Sequence, residues 1–200
     1  MSKVSPLVDG LIEAMQCLPG VGPKSAQRMV LHLLERNRDG GIVLAEIMAK
    51  AIEGVGQCKK CRIFTESEFC SICSNEKRDK SNICVVESVS DVFAIEQSNQ
   101  FNGNYFILHG HLSPIDGVGP GELGMNILDQ RLQEDGITEV IIATNSTVEG
   151  DATAHYVAEM AAEYQISASR IAHGIPLGGE LEYSDSGTLS HAFYWRRTIE

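Results

Sequence analysis

The chain has 200 residues, 43% of them apolar, and a net charge of −11. That length and composition suit a globular protein of one or two domains with at least one sizeable core, and they exclude a disordered chain. No stretch approaches the roughly 20 apolar residues of a membrane helix. Pro6, Asp9 and Glu13 interrupt the place where a signal peptide would be apolar, so the expected location is cytoplasmic.

In chain order, Leu7, Val8, Leu11, Ile12 and Met15 recur at helical spacing and predict a short amphipathic helix over residues 5–17. Leu18-Pro19-Gly20-Val21-Gly22-Pro23 cannot continue it. Pro23 suits a first helical position, and Ala26, Met29, Val30, Leu33 and Leu34 give the second helix its apolar stripe, with an end expected before Gly40-Gly41. A third helix is predicted over 43–55, with Leu44, Ile47, Ala51 and Ile52 facing inward. Four cysteines follow, then a polar boundary over 74–82.

Beyond that boundary the period changes. Ile83-Cys84-Val85-Val86, Tyr105-Phe106-Ile107-Leu108 and Val140-Ile141-Ile142-Ala143 read as buried strands, and Arg170-Ile171-Ala172 as a weaker one. Helical patterns over 89–97, 122–134 and 152–164 separate them, which implies right-handed crossovers and a mostly parallel sheet. Charge divides at the same place. Residues 1–80 hold 12 Lys and Arg against 10 Asp and Glu, whereas residues 81–200 hold 4 against 17. One surface for a polyanion and another for protein or metal would explain this, as would an acidic half that merely keeps the chain in solution.

Two glycines in Leu18-Pro19-Gly20-Val21-Gly22-Pro23-Lys24-Ser25-Ala26 let the backbone turn tightly and approach a ligand without a Cβ in the way. The helix start supplies free N–H groups and a positive dipole end to a phosphate. Lys24 and Arg28, four apart and off the apolar stripe, reach the same phosphate backbone. Gly20, Val21, Gly22, Lys24, Ser25 and Arg28 are thus the candidate nucleic-acid contacts, reading phosphate and not base. The segment resembles a helix-hairpin-helix signature; a purely structural turn with incidental basic residues is the alternative. A P-loop is excluded, because Pro23 stands where glycine must precede the lysine.

Cys58-Lys-Lys-Cys61 and Cys70-Ser-Ile-Cys73 have the spacing of one tetrahedral site, most simply Zn2+ on four thiolates, which leaves no position open for a substrate. Cys17 and Cys84 read as small buried hydrophobes. Lys59, Lys60 and Arg62 either touch nucleic acid or are solvated charges offsetting the anionic thiolates. Glu87 closes the first strand, and Glu149-Gly150-Asp151 follows the third, so all three carboxylates belong to the carboxyl edge of the sheet. There they could hold Mg2+; alternatively Asp151 caps the next helix and Glu87 is solvated. The set resembles the Toprim domain of topoisomerases and primases, with Glu-x-Asp for the usual Asp-x-Asp. Gly119-x-Gly121-x-x-Gly124 is a glycine-rich loop at that edge, which His109 and His111 also flank.

Helix-hairpin-helix, four-cysteine site and Toprim-like domain, in that order, resemble the RecR family of bacterial recombination mediators. Leu108-His109-Gly110-His111-Leu112-Ser113-Pro114, the segment Thr144-Asn145-Ser146-Thr147-Val148-Glu149-Gly150-Asp151-Ala152-Thr153, and Gly178-Gly179-Glu180-Leu181 complete the likeness. The resemblance implies a multidomain α+β chain: a helix-hairpin-helix DNA-binding region over 1–56, a four-cysteine zinc finger over 57–80, a Toprim domain over 81–175 and a C-terminal segment over 176–200. It implies a DNA-repair protein without catalytic residues that binds DNA regardless of sequence. Such proteins form tetrameric rings or dimers and act with RecO and RecF to load RecA on single strands. Lys24 and Arg28 would then face DNA, and the acidic surface around Glu149 would face RecO. The competing expectation is a Mg2+-dependent nuclease, primase or topoisomerase using Glu87, Glu149 and Asp151.

Overall fold

The computed structural model describes residues 5–134, 136–172, 174–175, 178–196 and 198, and divides the chain into two compact units, Met1–Val55 and Gly56–Glu200. In the first unit, Pro6 begins helix α1 (Pro6–Met15), and Pro23 begins α2 (Pro23–Arg36) after a turn in which Gly20 adopts φ +77°. The third helix starts earlier than expected: α3 runs Arg38–Gly54, with both glycines inside it. The reason is Asn37, which ends α2 and caps α3 by accepting the Gly40 N–H at 3.1 Å. A Cβ on Gly40 would collide with the Asn37 amide, so glycine here permits the cap and does not break the helix.

Among the described residues of this unit only Ala26 and Val30 are buried. The inward face expected for α3 is not covered: Leu44, Ile47 and Ile52 are 44%, 59% and 76% exposed, and Ala51 is exposed as well. Three helices in 55 residues have too little volume to bury three apolar stripes among themselves.

The second unit opens with a short antiparallel pair, β1 (Gly56–Gln57) and β2 (Phe64–Thr65). A four-stranded sheet follows, built from β3 (Asn82–Val86), β4 (Asn104–Ile107), β5 (Glu139–Ala143) and β6 (Ser167–Arg170). All neighbours are parallel, in the order β4-β3-β5-β6. Period-two alternation splits the strands between two cores. On one face Ile83, Val85, Phe106, Val140 and Ile142 pack against α5 (Met125–Leu132) and α6 (Val148–Glu163) through Met125, Leu128, Leu132, Ala154, Val157 and Ala161. On the other, Cys84, Val86, Tyr105, Ile107 and Ala143 pack against Val92 of α4 (Val89–Ser98) and against Cys58, Cys61 and Cys70. Cover on both faces explains the unbroken apolar runs of β3, β4 and β5.

Helix α6 begins four residues before the expected 152. Thr147 caps it, its Oγ1 accepting the Gly150 N–H at 3.0 Å, so Asp151 lies in the first turn and is not the cap. Gly150 fits there because a Cβ would strike the Asn145 carbonyl. Strand β6 precedes the expected 170–172, since Ser167-Ala-Ser-Arg carries no apolar run to announce an edge strand. The chain ends in α7 (Ser186–Tyr194), capped by Asp185, whose carboxylate accepts the Thr188 N–H at 2.9 Å. No helix among the described residues is long and apolar enough to cross a membrane.

Candidate zinc centre, phosphate-facing turn and acidic edge

The sulfur atoms of Cys58, Cys61, Cys70 and Cys73 all lie within 4.8 Å of one another, and the first three side chains are buried. Tetrahedral Zn–S bonds of about 2.3 Å hold sulfurs roughly 3.8 Å apart, so the quartet fits the ion. Backbone hydrogen bonds shape each knuckle. Cys58 N–H donates to the Ile63 carbonyl at 2.8 Å, Arg62 N–H to the Cys58 carbonyl at 2.9 Å, and Ser74 N–H to the Cys70 carbonyl at 3.0 Å. Backbone N–H groups of Cys70 and Cys73 point at the sulfurs of Cys58 (3.3 Å) and Cys70 (3.4 Å), as suits anionic sulfur. Cys61 and Cys70 sulfurs meet at 3.4 Å. Hydrogen bonds from Cys61 and Cys73 pull the Cys70 thiol far down, while bonding to Cys70 and Cys73, then burial, push Cys61 up. A divalent cation at the centre favours thiolate over thiol and lets all four ionise.

The three cations beside the first knuckle each meet a protein partner. The Arg62 backbone adopts φ +66°, and its Nη1 donates to the carbonyls of Ile107 (3.0 Å), Leu108 (3.2 Å) and Leu123. Arg131 does the same from α5, donating to Lys60 (2.9 Å) and Tyr105 (2.7 Å) carbonyls. These two arginines join the cysteine loop to the sheet, with the Ile107 N–H donating to the Cys61 carbonyl at 3.0 Å. Lys59 pairs with Glu68 at 2.8 Å, and Lys60 lies 3.7 Å from Glu134. The glycine-rich loop serves the same junction: Gly124 starts α5 at φ +69°, where a Cβ would meet the Arg62 guanidinium. Cys84 is buried in the second core, but Cys17, expected to be buried, is exposed in the turn after α1.

In the helical unit, Gly22 precedes α2, and Ala26 N–H is the first to reach back, donating to the Gly22 carbonyl at 2.9 Å. The N–H groups of Lys24 and Ser25 therefore open outward at the helix start. Val21 N–H closes the turn onto the Leu18 carbonyl at 3.1 Å. Lys24 and Arg28 are exposed, and neither belongs to an ion pair among the described residues.

The three carboxylates at the sheet edge are separate in their engagements. Glu87, directly after β3, is buried; its Oε1 accepts the Asn145 N–H (2.8 Å) and its Oε2 the Asn145 side-chain amide (2.7 Å), with His111 Nδ1 at 3.3 Å. Asp151 pairs with Arg170 at 2.7 Å. Glu149 is half-buried in the first turn of α6 and has no ion pair among the described residues. His109 Nε2 lies 2.8 Å from the Arg62 carbonyl oxygen and 3.3 Å from Gln57 Nε2, apart from the acids. Sequence reasoning missed the roles of Asn145, Arg170, Arg62 and Arg131; an arginine turned inward leaves no periodic mark.

Four family models match successive segments: RecR helix-hairpin-helix over residues 8–52, RecR four-cysteine zinc finger over 55–75, Toprim domain over 81–172 and RecR C-terminal over 174–197. Unmatched are only residues 1–7, 53–54, 76–80, 173 and 198–200. With the zinc-finger match on the same four cysteines, the quartet is a site for one structural Zn2+. The ordered matches, the parallel sheet and the four-cysteine cluster agree with one another, and the chain belongs to the RecR family of recombination mediators.

Proposed function

We propose that the protein is a non-catalytic DNA-binding mediator of recombinational repair, a ring or clamp that acts with RecO- and RecF-type partners to promote RecA loading on single-stranded DNA. The observation that carries this reading is the uncommitted start of α2. Lys24 and Arg28 are exposed and outside any ion pair among the described residues, beside open N–H groups of Lys24 and Ser25, in a segment matched by the RecR helix-hairpin-helix model. Gly20, Val21 and Gly22 complete the backbone approach to phosphate. One such turn is a modest grip; repeated around a ring or dimer, it acts multivalently, which reconciles DNA binding with a chain of net charge −11.

Two further features support the assembly and partner parts of the reading. A groove of about 470 Å3 in the helical unit is lined by Leu11, Met15, Leu18, Leu33, Leu34 and Leu44, apolar surface that monomers rarely leave open. The half-exposed Glu149 offers RecO-type partners an acidic contact. The test is DNA affinity as a function of salt. Lys24→Ala and Arg28→Ala are each expected to weaken binding by a similar factor on every sequence and to flatten the log–log salt slope by about 0.7–0.9 per lost phosphate contact. Slopes equal to wild type would sink the reading.

A further inference from the structure

The carboxyl edge of a Toprim domain is a place where carboxylates could hold a divalent cation, Mg2+ being the candidate. The residues present do not fit it. Mg2+ demands near-octahedral oxygen ligands at about 2.0–2.1 Å and gives up water reluctantly, so it needs carboxylates that face a common point with lone pairs free. Both Glu87 oxygens are already taken by Asn145, one of them shared with His111, on a side chain only 8% exposed. Asp151 has turned to Arg170. Among the described residues, the one group of three or more acidic, histidine or cysteine ligands close enough to share an ion is the cysteine quartet.

What occupies the edge instead is visible in the strand register. Arg170 ends β6 opposite Ile142 of β5, so the strand delivers its guanidinium to the carboxyl edge. There Nη2 donates to Asp151 Oδ1 at 2.7 Å and to the Asn145 carbonyl at 3.3 Å, one carboxylate and one carbonyl oxygen, the ligand types a hard cation takes. Asn145 closes the chain of contacts: its N–H and side-chain amide hold Glu87, and its carbonyl receives Arg170. We infer that the Arg170 guanidinium stands in the place of the divalent cation, linking Asp151 to Glu87 through Asn145, and that the edge thereby excludes Mg2+. A guanidinium stays charged at every accessible pH and cannot dissociate, so the network is permanent where a bound metal would exchange. Arg170 Nε is buried without an acceptor among the described residues.

The test uses the full-length, zinc-loaded protein with Mn2+ as probe. Free Mn2+ is followed by electron paramagnetic resonance, and bound Mn2+ by broadening of the Asn145 and Gly150 amide resonances. Wild type is expected to take no Mn2+ at this edge up to the range where weak carboxylate sites fill, on the order of 1 mM. Arg170→Gln is expected to gain one Mn2+ site, about tenfold tighter or better, and adding Asp151→Asn is expected to remove it again. Submillimolar broadening of Asn145 and Gly150 in wild type overturns the inference, and that measurement decides the matter even if the glutamine variant fails to fold. A folded Arg170→Gln protein that binds Mn2+ no better than wild type overturns it as well. DNA affinity of the same proteins reports on Lys24 and Arg28 in the other unit, so the two readings fail separately.

Discussion

The two units spend their arginines and apolar side chains in opposite ways. In the helical unit Arg28 is exposed and outside any ion pair among the described residues, Arg38 reaches only the Leu34 carbonyl one turn back, and Ile47 and Ile52 face outward, with Ala26 and Val30 the buried side chains among those described. In the α/β unit Arg62, Arg78, Arg131 and Arg170 all turn onto carbonyls or carboxylates of their own unit, and both faces of the sheet are covered. The first unit thus presents groups that need something outside it; the second supplies partners for its inward arginines and for Glu87, Glu96 and Asp151. A positive charge counted in sequence says nothing about binding until its partner is known.

The largest effect expected from breaking this comparison is at the zinc. The cysteine loop is part of the second core, not an appendage, so its loss uncovers Val86, Tyr105 and Ile107 of the sheet. Structural zinc contributes about 10–16 kcal/mol of apparent binding free energy in peptide modules. Cys61→Ser, or complete chelation, is expected to cost the α/β unit about 4 kcal/mol or more, on the order of 10 °C in Tm. Calorimetry beside a colorimetric zinc count measures it. A metal-free protein melting with wild-type would show that the packing of the loop suffices without the ion.

Next in size is Arg78, the clearest case of an inward arginine. Its Nη1 and Nη2 donate to Glu96 at 3.0 and 2.6 Å, its Nε to the Gly103 carbonyl at 2.9 Å, and Tyr105 adds its hydroxyl to the same carboxylate at 2.6 Å. Arg78→Ala leaves these groups short of a charged donor and is expected to cost about 2–3 kcal/mol. The pair also sets a pH limb. Arg78 holds the Glu96 carboxyl below its ordinary value of 4.5, against a smaller opposing effect of burial. A depressed carboxyl stabilises the fold above its unfolded pKa, and the contribution is lost as pH falls through the folded value. Glu96→Gln is therefore expected to flatten the stability curve below about pH 4.5 and to leave its slope near pH 8 unchanged. Urea midpoints across that range decide it; an acid limb equally steep in the variant would assign the loss to other carboxylates.

Much of this was legible in the sequence, and what was not has a common cause. The strands β3, β4 and β5 declare themselves because burial on both faces forces unbroken apolar runs, and the cysteine quartet does so because one ion fixes four spacings. Pro23 marks the start of α2 for a similarly local reason. Asn37 and Thr147 shifted α3 and α6 because a capping side chain and a glycine that tolerates it outvote the glycine's reputation as a breaker. The roles of Arg62, Asn145 and Arg170 depend on partners 19 to 61 residues away, and no local pattern encodes them. At the candidate site, then, the residue types and their edge of the sheet were readable, but the state of each carboxylate was not.

The smallest effect on stability belongs to the open face of α3, and it sharpens the comparison most directly. If Ile47 and Ile52 contribute to the fold of one chain, replacing them with charge should cost what a core substitution costs, about 2–5 kcal/mol. They are 59% and 76% exposed, so little of their surface is withdrawn from water within the unit. The Ile47→Glu, Ile52→Glu protein is accordingly expected to keep its unfolding free energy within about 0.5 kcal/mol per site when diluted below any association. At higher concentration it should differ sharply, with light scattering giving a smaller molar mass than wild type, because the apolar face that would sit against a second copy now carries two charges. A large loss at high dilution would mean that α3 packs within its own unit. An unchanged mass would leave the helical unit as self-sufficient as the α/β one, and the contrast between them would reduce to charge alone.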